Sequence, residues 1–193
     1  MKNHFITAIS FIVFTSMAQA QHINLGVKGG LNVYTVKTQG QPSFSPTINY
    51  HVGLLTHIHL KPNLAFQPEV VYSVQGVHRK GEGSEDLKLN YVNVPLVLQY
   101  MFDNGFRIET GPQFGFMLSA KSKIDGATTD ATSTYFTADL GICLGLSYVK
   151  PSTGFGYSIR YNQGFSNIKK PGNDYLYNQG LQVGVFYLFQ HKS

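Results

Sequence analysis

The sequence predicts an all-β fold: an eight-stranded antiparallel up-and-down transmembrane β-barrel, preceded by a cleaved signal peptide. Three observations carry the prediction. Past Gln21 the apolar residues recur with a period of two in eight segments, and successive side chains of a strand point to opposite faces. The connectors alternate between tight turns and long polar loops. The face opposite the apolar one is rich in Gly and Ser and sparing of charge: of 193 residues only 13% are charged, 13% are aromatic and 20 are Gly. Few charges and many aromatics fit a β-protein whose surface is not wholly in water.

Residues 1–20 read as a signal peptide. Lys2 supplies a charged start, an apolar stretch runs from Phe5 to Met17, and Ala18-Gln19-Ala20 is a small-x-small cleavage site, so cleavage is expected before Gln21. Residues 21–193 then form one barrel domain. No apolar run of about 20 residues is available for a spanning helix.

The first alternating segment sets Ile23, Leu25, Val27, Leu31 and Val33 against Asn24, Gly26, Lys28, Gly30 and Asn32. The second sets Val52, Leu54, Ile58 and Leu60 against His51, Gly53, His57 and His59, with Leu55 breaking the pattern. In the third, Phe66, Val70, Tyr72 and Val74 oppose Gln67, Glu69, Ser73 and Gln75; in the fourth, Val92, Val94, Leu96, Leu98 and Tyr100 oppose Asn93, Pro95 and Gln99. The fifth opposes Phe106, Ile108, Phe114, Phe116 and Leu118 to Arg107, Glu109, Gly111, Gln113 and Ser119. The sixth, Phe136 to Tyr148, is the most regular, with Leu140, Ile142, Leu144 and Leu146 against Asp139, Gly141, Cys143 and Gly145. Phe155, Tyr157, Ile159 and Tyr161 then oppose Gly156, Ser158, Arg160 and Asn162. Last, Leu181, Val183, Val185, Tyr187 and Phe189 oppose Gln182 and Gly184, where Phe186 and Leu188 make the polar face partly apolar. Each segment is about long enough for a tilted strand to cross a bilayer, and an even number of antiparallel strands closes without a free edge.

Alternation alone also fits a soluble periplasmic barrel that holds an apolar ligand. The connectors favour the membrane. Lys61-Pro62-Asn63, Asp103-Asn104-Gly105 and Pro151-Ser152-Thr153 are tight turns, and long polar loops lie near residues 37–48, 77–86, 120–134 and 166–177. With the turns on the periplasmic side, Phe66, Tyr100, Phe106, Tyr148, Phe155, Tyr187 and Phe189 form an aromatic girdle at headgroup depth. The apolar face is then outside. The polar face, inside, holds Lys28, Arg107 and Arg160 against Glu69, Glu109 and Asp139. An eight-stranded barrel is narrow enough for side chains to fill it, so these charges must pair, with Glu69, Arg107, Glu109 and Arg160 the expected partners.

In order and spacing the segments resemble the Bacteroidetes-type outer-membrane β-barrel family, often labelled porin-family or PorT-like. The resemblance rests on Gly26-Val-Lys-Gly-Gly-Leu-Asn32, Phe66-Gln-Pro-Glu-Val-Val-Tyr-Ser73, Leu89-Asn-Tyr-Val-Asn-Val-Pro-Leu-Val-Leu-Gln-Tyr100, Gly111-Pro-Gln-Phe-Gly-Phe116 and the closing strand. It implies a bacterial outer-membrane location and no single activity. Gln182-Val-Gly-Val-Phe-Tyr-Leu-Phe189 looks like the terminal signal read by the barrel-insertion machinery.

Little points to chemistry. His51, His57 and His59 share a face, but a metal site needs a further ligand and an open position, so no metal is expected. His78, Ser84, Glu85 and Asp86 sit together in one connector and read as a solvated loop, so no catalytic set and no enzyme are expected. Gly29-Gly30 precedes no helix that could cradle a phosphate. Asp125 and Asp130 do not have the spacing of a calcium loop. No cofactor is expected. The single Cys143 excludes an internal disulfide, and the formal charge of +5 is scattered, with no stripe for nucleic acid. The expected function is a structural or interaction role in the cell envelope. The partners would be outer-membrane lipid, the insertion machinery through the last strand, and other envelope proteins through the loops. The alternative is a small-solute pore or transport component.

Overall fold

The structure, a computed structural model, describes residues 23–38, 44–79, 85–124, 126–169 and 175–189. The expected signal peptide and its cleavage site lie outside these residues. Eight long strands form the barrel: β1 (Ile23–Thr38), β2 (Phe44–Lys61), β3 (Leu64–Arg79), β4 (Glu85–Met101), β5 (Phe106–Ile124), β7 (Ala138–Val149), β8 (Phe155–Gly164) and β9 (Leu176–Leu188). A short β6 (Ala127–Asp130) folds back on the end of β5 as a hairpin. Every neighbour is antiparallel, and the ring closes because β4 pairs with β5 and β1 pairs with β9.

Burial decides which way the alternation faces. Leu25, Leu54, Val70, Leu144, Leu146, Tyr157 and Val183 are all half or more exposed, while Lys28, Glu69, Glu109, Arg160 and Gln182 are buried. Apolar outside and polar inside is the reverse of a soluble barrel, and an exposed apolar belt this large is an interaction surface for lipid. On β4 the outward residues run from Val92 to Tyr100 and then change to Asn90 and Lys88. At roughly 3.3 Å per residue and a tilt of roughly 40°, that stretch spans about 20 Å, close to the height of an apolar membrane band.

The turns are tight where sequence placed them. Lys61 pairs with Leu64 across Pro62-Asn63, and Gly105 and Gly154 take φ of +89° and +73° in the other two turns, a region that favours glycine. The opposite end differs from expectation. β5 is 19 residues long and β2 18, against the 9–11 that crossing requires, so the strands run on past the belt. Much of the expected loops near 37–48, 77–86 and 120–134 is therefore paired strand. Polar composition marked these stretches as loops, but cross-strand hydrogen bonding continues through them. The sixth strand starts later than expected, at Ala138.

A second difference lies on β5. Tyr91 pairs with Met117 but Asn90 pairs with Ser119, so Leu118 is an extra residue. Such a bulge reverses the facing of everything beyond it. Ser119, expected inside, instead accepts a hydrogen bond from Asn90 Nδ2 at 2.8 Å on the outer side, and Ala120 turns inward. Leu55, the one break in the alternation, packs inside with Val149, Phe186 and Leu188 near the turn end.

Candidate functional site: the filled lumen

The lumen is stacked in layers, and glycines make the room. Phe186 lies over the bare backbone of its cross-strand partner Gly156, and the ring of Tyr34 lies over Gly180. His51 occupies the space left by Gly30 and Gly184; a Cβ on Gly30 would stand 2.9 Å from its Cε1. Small residues on this face, read as the mark of a crowded interior, are thus the complement of specific large ones.

The central layer is ionic. Glu69 on β3 accepts from Lys28 Nζ at 2.9 Å, from Arg160 Nη1 at 2.9 Å and Nη2 at 3.0 Å, and from Gln67 Nε2 at 2.8 Å. Glu109 on β5 accepts from Arg160 Nη2 at 2.9 Å and Nε at 3.0 Å, from Gln99 Nε2 at 2.8 Å, and from Ser147 Oγ at 3.4 Å. One guanidinium, reaching across from β8, therefore bridges two carboxylates on the strands that flank β4, a geometry its rigid fork suits. The layer carries two positive and two negative side chains, each hydrogen-bonded, which buried charge demands.

Of the six lumen charges expected from sequence, these four meet. Arg107 does not pair with a carboxylate; its Nη1 donates to Gln99 Oε1 at 3.3 Å, which links it to Glu109 only through that amide, and it lies 3.5 Å from His57 Nδ1. Lys28 takes the place expected for Arg107, because β1 and β3 flank β2 and Lys28 reaches Glu69 past it, whereas Arg107 sits nearer the turns. Asp139 also stands apart. At the start of β7 it lies in a higher layer and accepts from Asn178 Nδ2 at 2.9 Å.

Between the ionic layer and Asp139 runs an amide network that sequence reasoning missed. Asn32 Nδ2 donates to Ser73 Oγ at 2.9 Å and to the carbonyls of Tyr50 and Val74, while Asn32 Oδ1 accepts from Gln182 Nε2 at 3.1 Å and faces His51 Nδ1 at 2.8 Å. His51 is thus a lumen histidine held by an amide, and His57 stacks edge-on against His59 at 4.7 Å. Among the described residues no group of three or more His, Cys, Asp and Glu side chains could hold a metal.

An apolar lid closes the loop end. Val36, Val77, Leu87, Leu89, Tyr91, Met117, Ala120 and Leu176 pack there with Tyr135 and Ile168, which arrive on segments folded across the mouth. Phe136 N donates to Ile168 O at 2.8 Å and Ile168 N to Leu176 O at 2.9 Å, which fixes those segments. At the rim His78 Nδ1 and Asp86 Oδ1 are 2.5 Å apart across the β3–β4 ladder, whereas Ser84 and Asp125 lie outside the described residues. Thr132 N–H donates to Asp130 at 2.8 Å and holds that exposed carboxyl below its usual range.

The seven expected girdle aromatics all lie at the turn end. Phe106 and Tyr148 are cross-strand partners with rings 5.3 Å apart, Phe155 is partnered with Tyr187, and Tyr187 meets Phe189 at 5.4 Å. Tyr100 meets Phe102, a further aromatic at this end, at 5.1 Å. Phe66 pairs with Leu98 one strand over.

Residues 17–170 match the family described as outer membrane protein β-barrel domain. The chain belongs to that family. As an outer-membrane barrel it shares its fold with Neisserial surface protein A, at a TM-score of 0.57 and 14% identity over 84% of this chain and 96% of that one. It shares it also with Ail, the attachment invasion locus protein of Yersinia pestis in complex with the heparin analogue sucrose octasulfate, at a TM-score of 0.53 and 12% identity over 87% of this chain and 99% of that one. No curated protein matches it by sequence.

Proposed function

We propose that this outer-membrane barrel is a closed envelope protein that acts through its surface, with a structural or interaction role and no catalysis. The observation that carries the reading is the filled interior. Four charges cancel in mid-lumen, an amide network lies above them, and an apolar lid covers the loop end. A solute would have to displace all three layers. The strands that run past the belt carry Lys88, Lys121 and Lys123 outward beyond it, which offers envelope partners a firm surface on the loop side. Lipid contacts the belt, and the last strand is the segment through which the insertion machinery would take the chain. The PorT-like resemblance agrees with an envelope role and adds no activity.

The test is conductance of the mature protein in planar bilayers. The expected trace stays at the bare-membrane baseline across applied potentials. Discrete, reproducible openings would establish the small-solute pore instead.

A further inference from the structure

Beyond the ionic layer, the lumen contains a void with an unusual lining. Three buried side-chain oxygens that line it have no hydrogen-bond partner: Gln75 Oε1 on β3, Asp139 Oδ1 on β7 and Asn162 Oδ1 on β8. Gln75 and Asn162 are each only 3% exposed. Their amide nitrogens are turned away, Asn162 Nδ2 to Tyr34 Oη at 2.9 Å and Gln75 Nε2 to Ser73 Oγ at 3.4 Å, which leaves the oxygens facing the void. Buried acceptors left without a partner are costly, and three around one space call for an occupant.

The charge balance says what kind. Lys28 and Arg160 are matched by Glu69 and Glu109 in the ionic layer, below the amide network. Among the described residues no Lys, Arg or His pairs with Asp139, so its carboxylate, half-buried with Oδ1 wholly enclosed, is a charge without a counter-ion, which a low-dielectric interior penalises. A single water fits the size of the void. It has two protons for three acceptors and brings no charge. A cation meets all three oxygens and cancels the carboxylate.

Glycine has cleared the place. A Cβ on Gly164 would stand 3.3 Å from Asp139 Oδ1 and one on Gly115 3.3 Å from Asp139 Cβ, and Gly141 also lines the void. We propose that this void is a cation site. It takes one dehydrated monovalent ion of about sodium's size between Gln75 Oε1, Asp139 Oδ1 and Asn162 Oδ1. One carboxylate with neutral amide oxygens balances a single positive charge, and hard oxygen donors suit such an ion. A divalent ion would leave an uncompensated charge in the lumen. Since the apolar lid lies above, the ion enters as the barrel folds and is held afterwards.

The experiment refolds the mature barrel in detergent at equal ionic strength in sodium chloride or in choline chloride, whose cation is too large for the void. Thermal unfolding should come about 5 °C or more higher in sodium at saturation, and Asp139→Asn should remove that difference. Equal midpoints in the two salts would overturn the site, as would a sodium effect that survives in Asp139→Asn. That result would mean the amides are rotated to donate to the carboxyl, or that a protonated Asp139 holds a water. Should the variant not fold, high-resolution diffraction from wild-type crystals grown in sodium chloride decides alone. Density touching all three oxygens at cation distances, shorter than hydrogen bonds, is expected, and a void without it refutes the proposal.

Discussion

The two polar layers of the lumen are built alike and solved differently. Both lie inside the barrel and both draw on side chains from several strands. In the ionic layer the rigid guanidinium of Arg160 reaches Glu69 and Glu109 at once, with Lys28 as a fourth member, and the charges cancel. In the layer above, Asp139 is held by an amide, and two more amide oxygens face it across a void. The lesson is that an equal number of opposite charges along a sequence does not ensure pairing. Height along the barrel axis decides, and Arg107 and Asp139 are stranded at opposite levels.

The comparison breaks hardest at Arg160. Replacing it by Ala leaves Glu109 buried with no cation beside it and Glu69 with Lys28 alone, an expected loss of about 3–5 kcal/mol. Urea unfolding of the refolded barrel measures it, and near wild-type stability would mean that the layer is hydrated and open. Ile168→Ala tests the lid above both layers. It should cost about 2–4 kcal/mol through the cavity it leaves, with no effect on the ionic layer. Turning from inside to outside, Leu144→Lys in the middle of the lipid belt should cost about 2–4 kcal/mol in refolding into bilayers, whereas Thr128→Lys on the exposed hairpin should stay within about 0.5 kcal/mol. Equal costs at the two sites would refute the placing of the belt. The smallest effect is expected at the exposed His78–Asp86 pair, where His78→Ala should cost less than about 1 kcal/mol.

Most of the barrel was legible because a period of two is a direct projection of a two-faced wall. Strand number, the tight turns, the apolar-out assignment and the turn-end aromatics all follow from it. What stayed hidden depends on register or on the third dimension. The bulge at Leu118 shows no local marker, so Ser119 was placed on the wrong face. The strand extensions read as loops because, beyond the belt, both faces of a strand are wetted and the alternation fades. The lid residues Tyr135 and Ile168 lie in irregular segments with no period at all. Lys28 could be assigned to the interior, but its choice of Glu69 needed the relative heights of β1 and β3. The void beside Asp139 was the least legible feature, since its oxygens come from three strands and its emptiness from three glycines, Gly115, Gly141 and Gly164.

The seam between β1 and β9 joins the first strand to the last, from Gly26 opposite Leu188 to Thr38 opposite Leu176. No shorter version of this wall is self-sufficient, because a chain that stops before Leu176 has two open edges whose amides and carbonyls face hydrocarbon with nothing to bond. The seam also means that the slowest contact to form, between the two ends of the chain, is the one that completes the structure. Arg160, on the penultimate strand, reaches Glu69 only when the sheet has curled most of the way round. Wall and filling are thus finished together, and a stalled assembly would show unpaired strand edges and naked carboxylates at the same moment.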